Sequence, residues 1–168
     1  MTTLKSATPA VSTISYLRRI DLFDGSSPSE LGTMARMFER IAVRPGDALE
    51  VQDAPVRWWH VIAGGHAVVE RDGTPLGLLG AGASWSEHSL FNHDRSPIGV
   101  VALSPVTVLA LDARRFFALL DNFPAVGARV VARAASSADR LALPVYRALV
   151  HMDRALLRPR PAAARYWA

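Results

Sequence analysis

Hydrophobic positions along this chain change their period twice, and the changes divide it. Ile14, Leu17 and Ile20 recur at helical spacing after Ser12-Thr13, which predicts a short helix that Asp21 to Gly25 interrupts. Ser27-Pro28-Ser29-Glu30 then reads as a capping box with Pro at the first helical position. The Ser hydroxyl accepts an exposed backbone N–H, and the Glu carboxylate reaches back to the cap. Leu31, Met34, Ala35 and Phe38 follow at i, i+3, i+4 and i+7, a face that packs on a core.

From Ile41 the texture becomes short apolar runs between turn residues. The breaks are Arg44 to Asp47, Gln52 to Pro55, Gly64-Gly65, Arg71 to Thr74 and Gly80 to Gly82. Asp72-Gly73 suits a hairpin turn, with Trp58 to Glu70 before it and Pro75 to Leu79 after it. Trp58 and Trp59 are adjacent on a strand, so one is expected to face in and one out. Ile98 to Leu103 and Val106 to Leu111 are split by Ser104-Pro105. This spacing predicts about eight short strands. No helix-length segment separates them, which argues against parallel βαβ units.

At Asp112, a predicted N-cap, the helical period returns with Phe116, Leu119, Leu120 and Phe123 on one face. Pro124 ends this helix or opens the next. From Val126 to Leu157 the pattern is long and can be written as heptads. Ala135, Ala142, Leu149 and Leu156 take one seam position; Val131, Ala138, Val145 and Met152 take the other. Arg133, Arg140, Arg147 and Arg154 recur every seven residues on the opposite face, a ridge expected to meet solvent. Pro144 is expected to kink or restart the helix. So long a stripe exceeds what one small barrel needs, so a dimer or partner seam is expected there. The whole reads as a mainly β fold with flanking helices. An antiparallel barrel or jelly roll is preceded by a helix pair and followed by a short and a long helix. The expected divisions are a disordered 1–11, a domain at 12–125, the long helix at 126–157 and a basic tail at 158–168.

Composition narrows the chemistry. Half of the 168 residues are apolar, enough for a sizeable core. The absence of Cys excludes disulfides, thiolate metal sites and cysteine nucleophiles. No apolar run is long enough for a membrane span, and residues 1–15 lack the apolar core of a signal peptide, so a cytoplasmic protein is expected. The net charge of +4 comes from one Lys and eighteen Arg against fifteen acids, unevenly placed. Residues 1–126 carry −2 and residues 127–168 carry +6, so the basic character belongs to the C-terminal segment. That segment is either a solvated face or a surface for an acidic partner such as nucleic acid. The five His supply no His-x-His pair, and no nucleophile motif or phosphate loop occurs. No metal, cofactor or enzymatic activity is expected.

The stretch Gly82 to Leu103 is a polar loop between apolar, β-rich flanks, with one acid at Glu87 and one base at Arg95 after it. With Leu22-Phe23 and the capped helix, Arg44-Pro45-Gly46-Asp47, Val61 to Val68, Gly82 to Phe91 and Val106 to Phe117 all in order, the chain resembles the cyclic nucleotide-binding domain. This is the sensor module of catabolite-activator-type transcription factors, protein kinase A regulatory subunits and gated channels. The resemblance covers about residues 14–141. It implies a phosphate-binding cassette of a Gly-Glu pair, a short helix and then Arg-(Ser/Thr)-Ala. The acid takes the ribose hydroxyl, and the Arg and helix N–H groups take the cyclic phosphate. Carried over, the acid is Glu87 and the Gly position holds Ser86; counting back from Ala102 places Ser96 at the Arg position and Pro97 after it. Arg95 lies one residue upstream. The candidate ligand residues are Ser84, Trp85, Ser86, Glu87, His88, Arg95 and Ser96. A degenerate cassette is expected, in a stand-alone regulatory or adaptor protein, with a cyclic nucleotide receptor as the alternative. Only 27 residues follow Leu141, too few for the family's helix-turn-helix, so sequence-specific DNA binding is not expected.

Overall fold

The computed structural model describes residues 12–140. Helix α1 (Thr13–Leu17) is capped by the Ser12 hydroxyl and is followed by a 3-10 turn at Asp21–Phe23. Helix α2 (Pro28–Met37) starts at the predicted capping box: Ser27 Oγ accepts from Glu30 N at 3.2 Å, and Glu30 Oε2 accepts from Ser27 N at 2.7 Å. Eight strands follow among the described residues. They are β1 (Glu39–Val43), β2 (Ala48–Glu50), β3 (Trp58–Gly64), β4 (Ala67–Arg71), β5 (Thr74–Leu79), β6 (Ser84–Trp85), β7 (Gly99–Ala102) and β8 (Val106–Asp112). Helix α3 (Glu87–Asn92) interrupts them between β6 and β7, and α4 (Ala113–Asn122) and α5 (Pro124–Arg140) close the described chain.

The strands form two four-stranded sheets, ordered β1-β8-β3-β6 and β2-β7-β4-β5, with every pair antiparallel. This is the jelly roll with flanking helices that the sequence predicts. Strands β3 and β8 are buried on both faces, which is why they read as continuous apolar runs. Trp59, Val61, Leu109 and Leu111 face the helices and join Leu17, Phe23, Met34, Phe116 and Leu119 in one core. Ile62, Val108 and Ala110 face the other sheet and join Val43, Leu49, Val69, Trp85 and Val100 in a second. Trp59 is the inward member of the tryptophan pair. Trp58 does not stand fully out, because it is half-buried against the second core. At the β3–β4 turn Gly65 has φ +89, and an added Cβ would lie 2.2 Å from the Pro105 carbonyl oxygen, so only glycine fits.

Asp112 caps α4, its Oδ1 accepting from Arg115 N at 2.8 Å. Pro124 opens α5, two residues before the expected boundary. Val126, Val130 and Ala134 of α5 are buried against the domain, whereas Val131, 52% exposed, and Ala135 look outward. The two seam positions with described side chains, Val131 and Ala135, therefore lie on the face of α5 turned away from its own barrel. Ala138 and Arg140 lie in the last described turn of α5. Ala142, Pro144, Val145, Arg147, Leu149, Met152, Arg154 and Leu156 lie outside the described residues, as do both predicted terminal segments. Among the described residues no helix is long and apolar enough to cross a membrane.

Candidate ligand-binding cavity

A cavity of about 1240 Å³ opens between β4–β5, the segment Ala81 to Ser89, residues Ser96 to Ile98 and the Ala132 to Ser136 stretch of α5. Its volume exceeds the usual few hundred Å³ of small-ligand sites. Its walls are largely apolar, with Val69, Leu76, Leu78, Leu79 and Ile98 on the sheet side and Ala132 and Ala134 on the helix side.

The polar rim is built around α3. Ser86, its N-cap, has φ 79 and ψ −2, a left-handed backbone that glycine adopts without penalty. The Ser86 hydroxyl donates to Glu50 Oε2 at 3.0 Å, which ties the cap to β2. Glu50 is buried, and desolvation pushes its carboxyl up to about 7 against the smaller, opposite pulls of the Ser86 hydroxyl and the Trp85 indole. Trp85 Nε1 is close enough to act on that charge but meets no partner in hydrogen-bond geometry. The Trp85 ring stacks on His60 at 4.9 Å and 17°. Burial pushes the His60 imidazole down to about 3, so it is neutral near pH 7. Its Nδ1, 3.6 Å from Glu50 Oε2, is then a polar contact rather than an ion pair.

Glu87 lines the cavity, but it also holds the core. It is 3% exposed, and its Oε1 accepts from the Nε1–H of the fully buried Trp59 at 2.8 Å. Phe91, one turn further on, packs on Phe116 and Phe117 of α4 at 5.6 and 6.1 Å, so α3 is keyed to the helices behind it. Ser84 lines the cavity, and Trp85 is both lining and core. His88 also lines it, exposed, with Nε2 3.0 Å from Asn92 Nδ2.

The residues after α3 behave differently. Arg95 is exposed and outside the cavity lining, because its Nη1 donates to the Asp53 carbonyl and its backbone bridges to Pro55. The structure therefore separates Arg95 from the other candidate ligand residues. Ser96 is buried, its hydroxyl donating to Ile98 O at 2.9 Å and its N–H to Ala54 O at 2.9 Å. Pro97 offers a carbonyl, which accepts from Arg71 Nε at 3.1 Å.

Sequence reading missed several residues that shape the site. Arg71 sits at the end of β4, read only as part of a hairpin break, and lines the cavity. Arg129 Nη1 donates to the carbonyls of Leu22 at 3.2 Å and Asp24 at 2.6 Å. Arg133 corrects the expected solvent-facing ridge. It is folded over the cavity rim, Nη1 donating to Gly82 O and Nη2 to Asp21 Oδ1, each at 2.7 Å. This guanidinium holds the Asp21 carboxyl below its ordinary range. No sequence signal ties Arg133 to partners 51 and 112 residues away, or Arg129 to partners 107 and 105 residues away. Among the described residues, no group of three His, Asp or Glu side chains is placed to hold a metal ion.

Among curated proteins, none matches this sequence. Solved structures do. The chain is 28% identical to the catabolite activator protein of Thermus thermophilus over 70% of its own length, with a TM-score of 0.62, and spans 59% of that protein. A regulatory subunit of a cAMP-independent protein kinase A from Trypanosoma brucei matches at 23% identity and TM-score 0.66, over 78% of this chain and 48% of that one. A cyclic nucleotide-binding domain from Methylobacillus flagellatus matches at 20% identity and TM-score 0.64, over 77% of each chain. The family model described as the cyclic nucleotide-binding domain matches residues 40–123, from β1 through α4 and across the whole cassette. The chain belongs to the cyclic nucleotide-binding domain family.

Proposed function

We propose that this chain is a non-catalytic regulatory or adaptor module, acting in the cytoplasm through protein–protein contacts of α5, with a cassette that does not grip a cyclic phosphate. One observation carries the reading: the cassette's only arginine, Arg95, spends its guanidinium on the Asp53 carbonyl outside the cavity. The next two positions do not compensate. The Ser96 hydroxyl is committed to Ile98 O, and Pro97 has no N–H to donate. Without a guanidinium from the cassette, a cyclic phosphate beside Glu87 lacks the charge-assisted fork that the resemblance places there. The outward Val131 and Ala135 support contacts through α5, either with a second copy or with a larger complex.

A second reading, a working cyclic nucleotide receptor, is favoured by a different observation. Ser86, at the position the resemblance gives to glycine, has a left-handed backbone open to glycine, and Glu87 lines the cavity. The two readings separate by isothermal calorimetry with cyclic AMP and cyclic GMP. The degenerate cassette gives no saturable heat up to about 1 mM ligand. Micromolar binding that Glu87→Gln abolishes would establish the receptor instead.

A further inference from the structure

Four arginines line the cavity, and they are not equivalent. Arg129 and Arg133 use their Nη groups on carbonyls and on Asp21, so they shape the rim. Arg71 bonds through Nε alone, to Pro97 O, and its two Nη groups have no protein partner among the described residues. A fork held by its stem with both outer donors open is the arrangement that takes a carboxylate or phosphate side-on. Val69 stands on the same face of β4, two residues before Arg71, and lines the same cavity. Leu76, Leu79 and Ile98 continue that apolar wall, and Ala132 and Ala134 of α5 face it.

From this pairing we propose that the cavity binds an amphiphilic organic anion, its carboxylate or phosphate on the Nη groups of Arg71 and its apolar body along the β4–β5 leucines under α5. Arg19, the fourth arginine, lies by Asp21 and Leu22 at the α1 side of the rim, apart from this wall. The inference rests on the reading that the cassette itself does not hold a cyclic phosphate. It adds what the site holds instead: an anion bound by a strand residue outside the cassette.

The test is isothermal calorimetry of the whole chain with decanoate and with decyl phosphate below their micelle concentrations, with 1-decanol as the uncharged control and cyclic AMP alongside. One-to-one binding of at least one anion is expected. Arg71→Gln should weaken it about tenfold, as loss of a charge-assisted bond does, and Arg71→Lys should weaken it less. Arg95→Gln should leave it unchanged, and decanol should bind more weakly than decanoate. The two anions carry nearly equal tails, of about nine and ten carbons, so a ranking beyond the effect of one methylene identifies which headgroup the fork prefers. Arg71 is exposed, so its variants fold. Absence of binding by both anions, or equal affinity in wild type and Arg71→Gln, overturns the inference even if cyclic AMP also fails to bind. Micromolar cyclic AMP binding overturns the reading beneath it.

Discussion

Ser86 holds a backbone conformation that costs an L-residue roughly 1–2 kcal/mol, and it does so beside a buried acid. The Ser86 to Glu50 hydrogen bond offsets part of that cost, since an intramolecular hydrogen bond contributes about 0.5–1.5 kcal/mol net. Serine therefore occupies a position where glycine would be unstrained but would leave Glu50 without its hydroxyl donor. Glu50 and His60 give the cluster a pH signature with opposite signs. The Glu50 carboxyl is raised from 4.5 to about 7, so the folded state binds the extra proton, and its contribution fades as pH climbs from about 4.5 to 7. The His60 imidazole is lowered from 6.5 to about 3, so its contribution grows as pH climbs from about 3 to 6.5. The two slopes oppose each other between pH 4.5 and 6.5. Replacing Glu50 with Gln keeps an acceptor for Ser86 and removes one slope. Urea unfolding between pH 4 and 8 should then show the variant gaining on wild type by up to about 3 kcal/mol, most of it between pH 4.5 and 7. A constant difference across that range would mean that Glu50 stays ionised.

Among the elements, α5 does more than cover the core. Its inward Val126, Val130 and Ala134 pack on the domain, but its arginines decide where its second half lies. Arg133 joins α5 to Asp21 in the first 3-10 turn and to Gly82 at the entrance of the cassette. Three segments distant in sequence thus meet at one guanidinium, itself 24% exposed, although its Asp21 partner is 73% exposed and screened by solvent. Arg133→Gln should loosen α5 without unfolding the barrel. Amide exchange of residues 132–136 should rise by about tenfold, with β3 and β8 unchanged. No change, or a rise spread over the whole domain, would mean that Arg133 does not hold α5 locally. Much of this layout was legible in the chain. The capping box at Ser27, the N-cap at Asp112 and the double-faced apolar runs of β3 and β8 each depend on neighbouring residues alone. The arginine contacts were not legible, because a heptad spacing gives the angle of a side chain around a helix and not what stands opposite. The candidate site divides in the same way. Glu87 and Ser86 are local to the cassette and could be placed from it, whereas Glu50, His60 and Arg71 reach it only through strand pairing. The outward turn of Arg95 follows from its bridge to Pro55, forty residues away in sequence and equally invisible there.

At the scale of the whole molecule, charge and apolar exposure both point to the C-terminal side. The segment after residue 126 carries the excess of Arg, and Val131 and Ala135 present an apolar line on the outer face of α5. A self-associating chain would pair these lines, with like-charged arginines kept to the sides. Light scattering should report a dimer that Val131→Arg converts toward monomer, with the far-ultraviolet dichroism unchanged. A monomeric wild type would sink the pairing and leave α5 for a different protein.

The order of strands in the first sheet has a further consequence, for how the chain acquires its shape. Strand β8 lies between β1 and β3, pairing Glu39 with Ala110 and Trp58 with Asp112. Both partners wait for a strand made more than forty residues later, so closure carries a high contact order and is slow. Only the β4–β5 hairpin, with Arg71 paired to Thr74, can form early and locally. A chain growing from its N-terminus therefore exposes β1 and β3 as open edges until residue 112 has emerged. The jelly roll is assembled by its last strand, and a truncation anywhere before Asp112 should yield aggregating chains rather than a smaller domain.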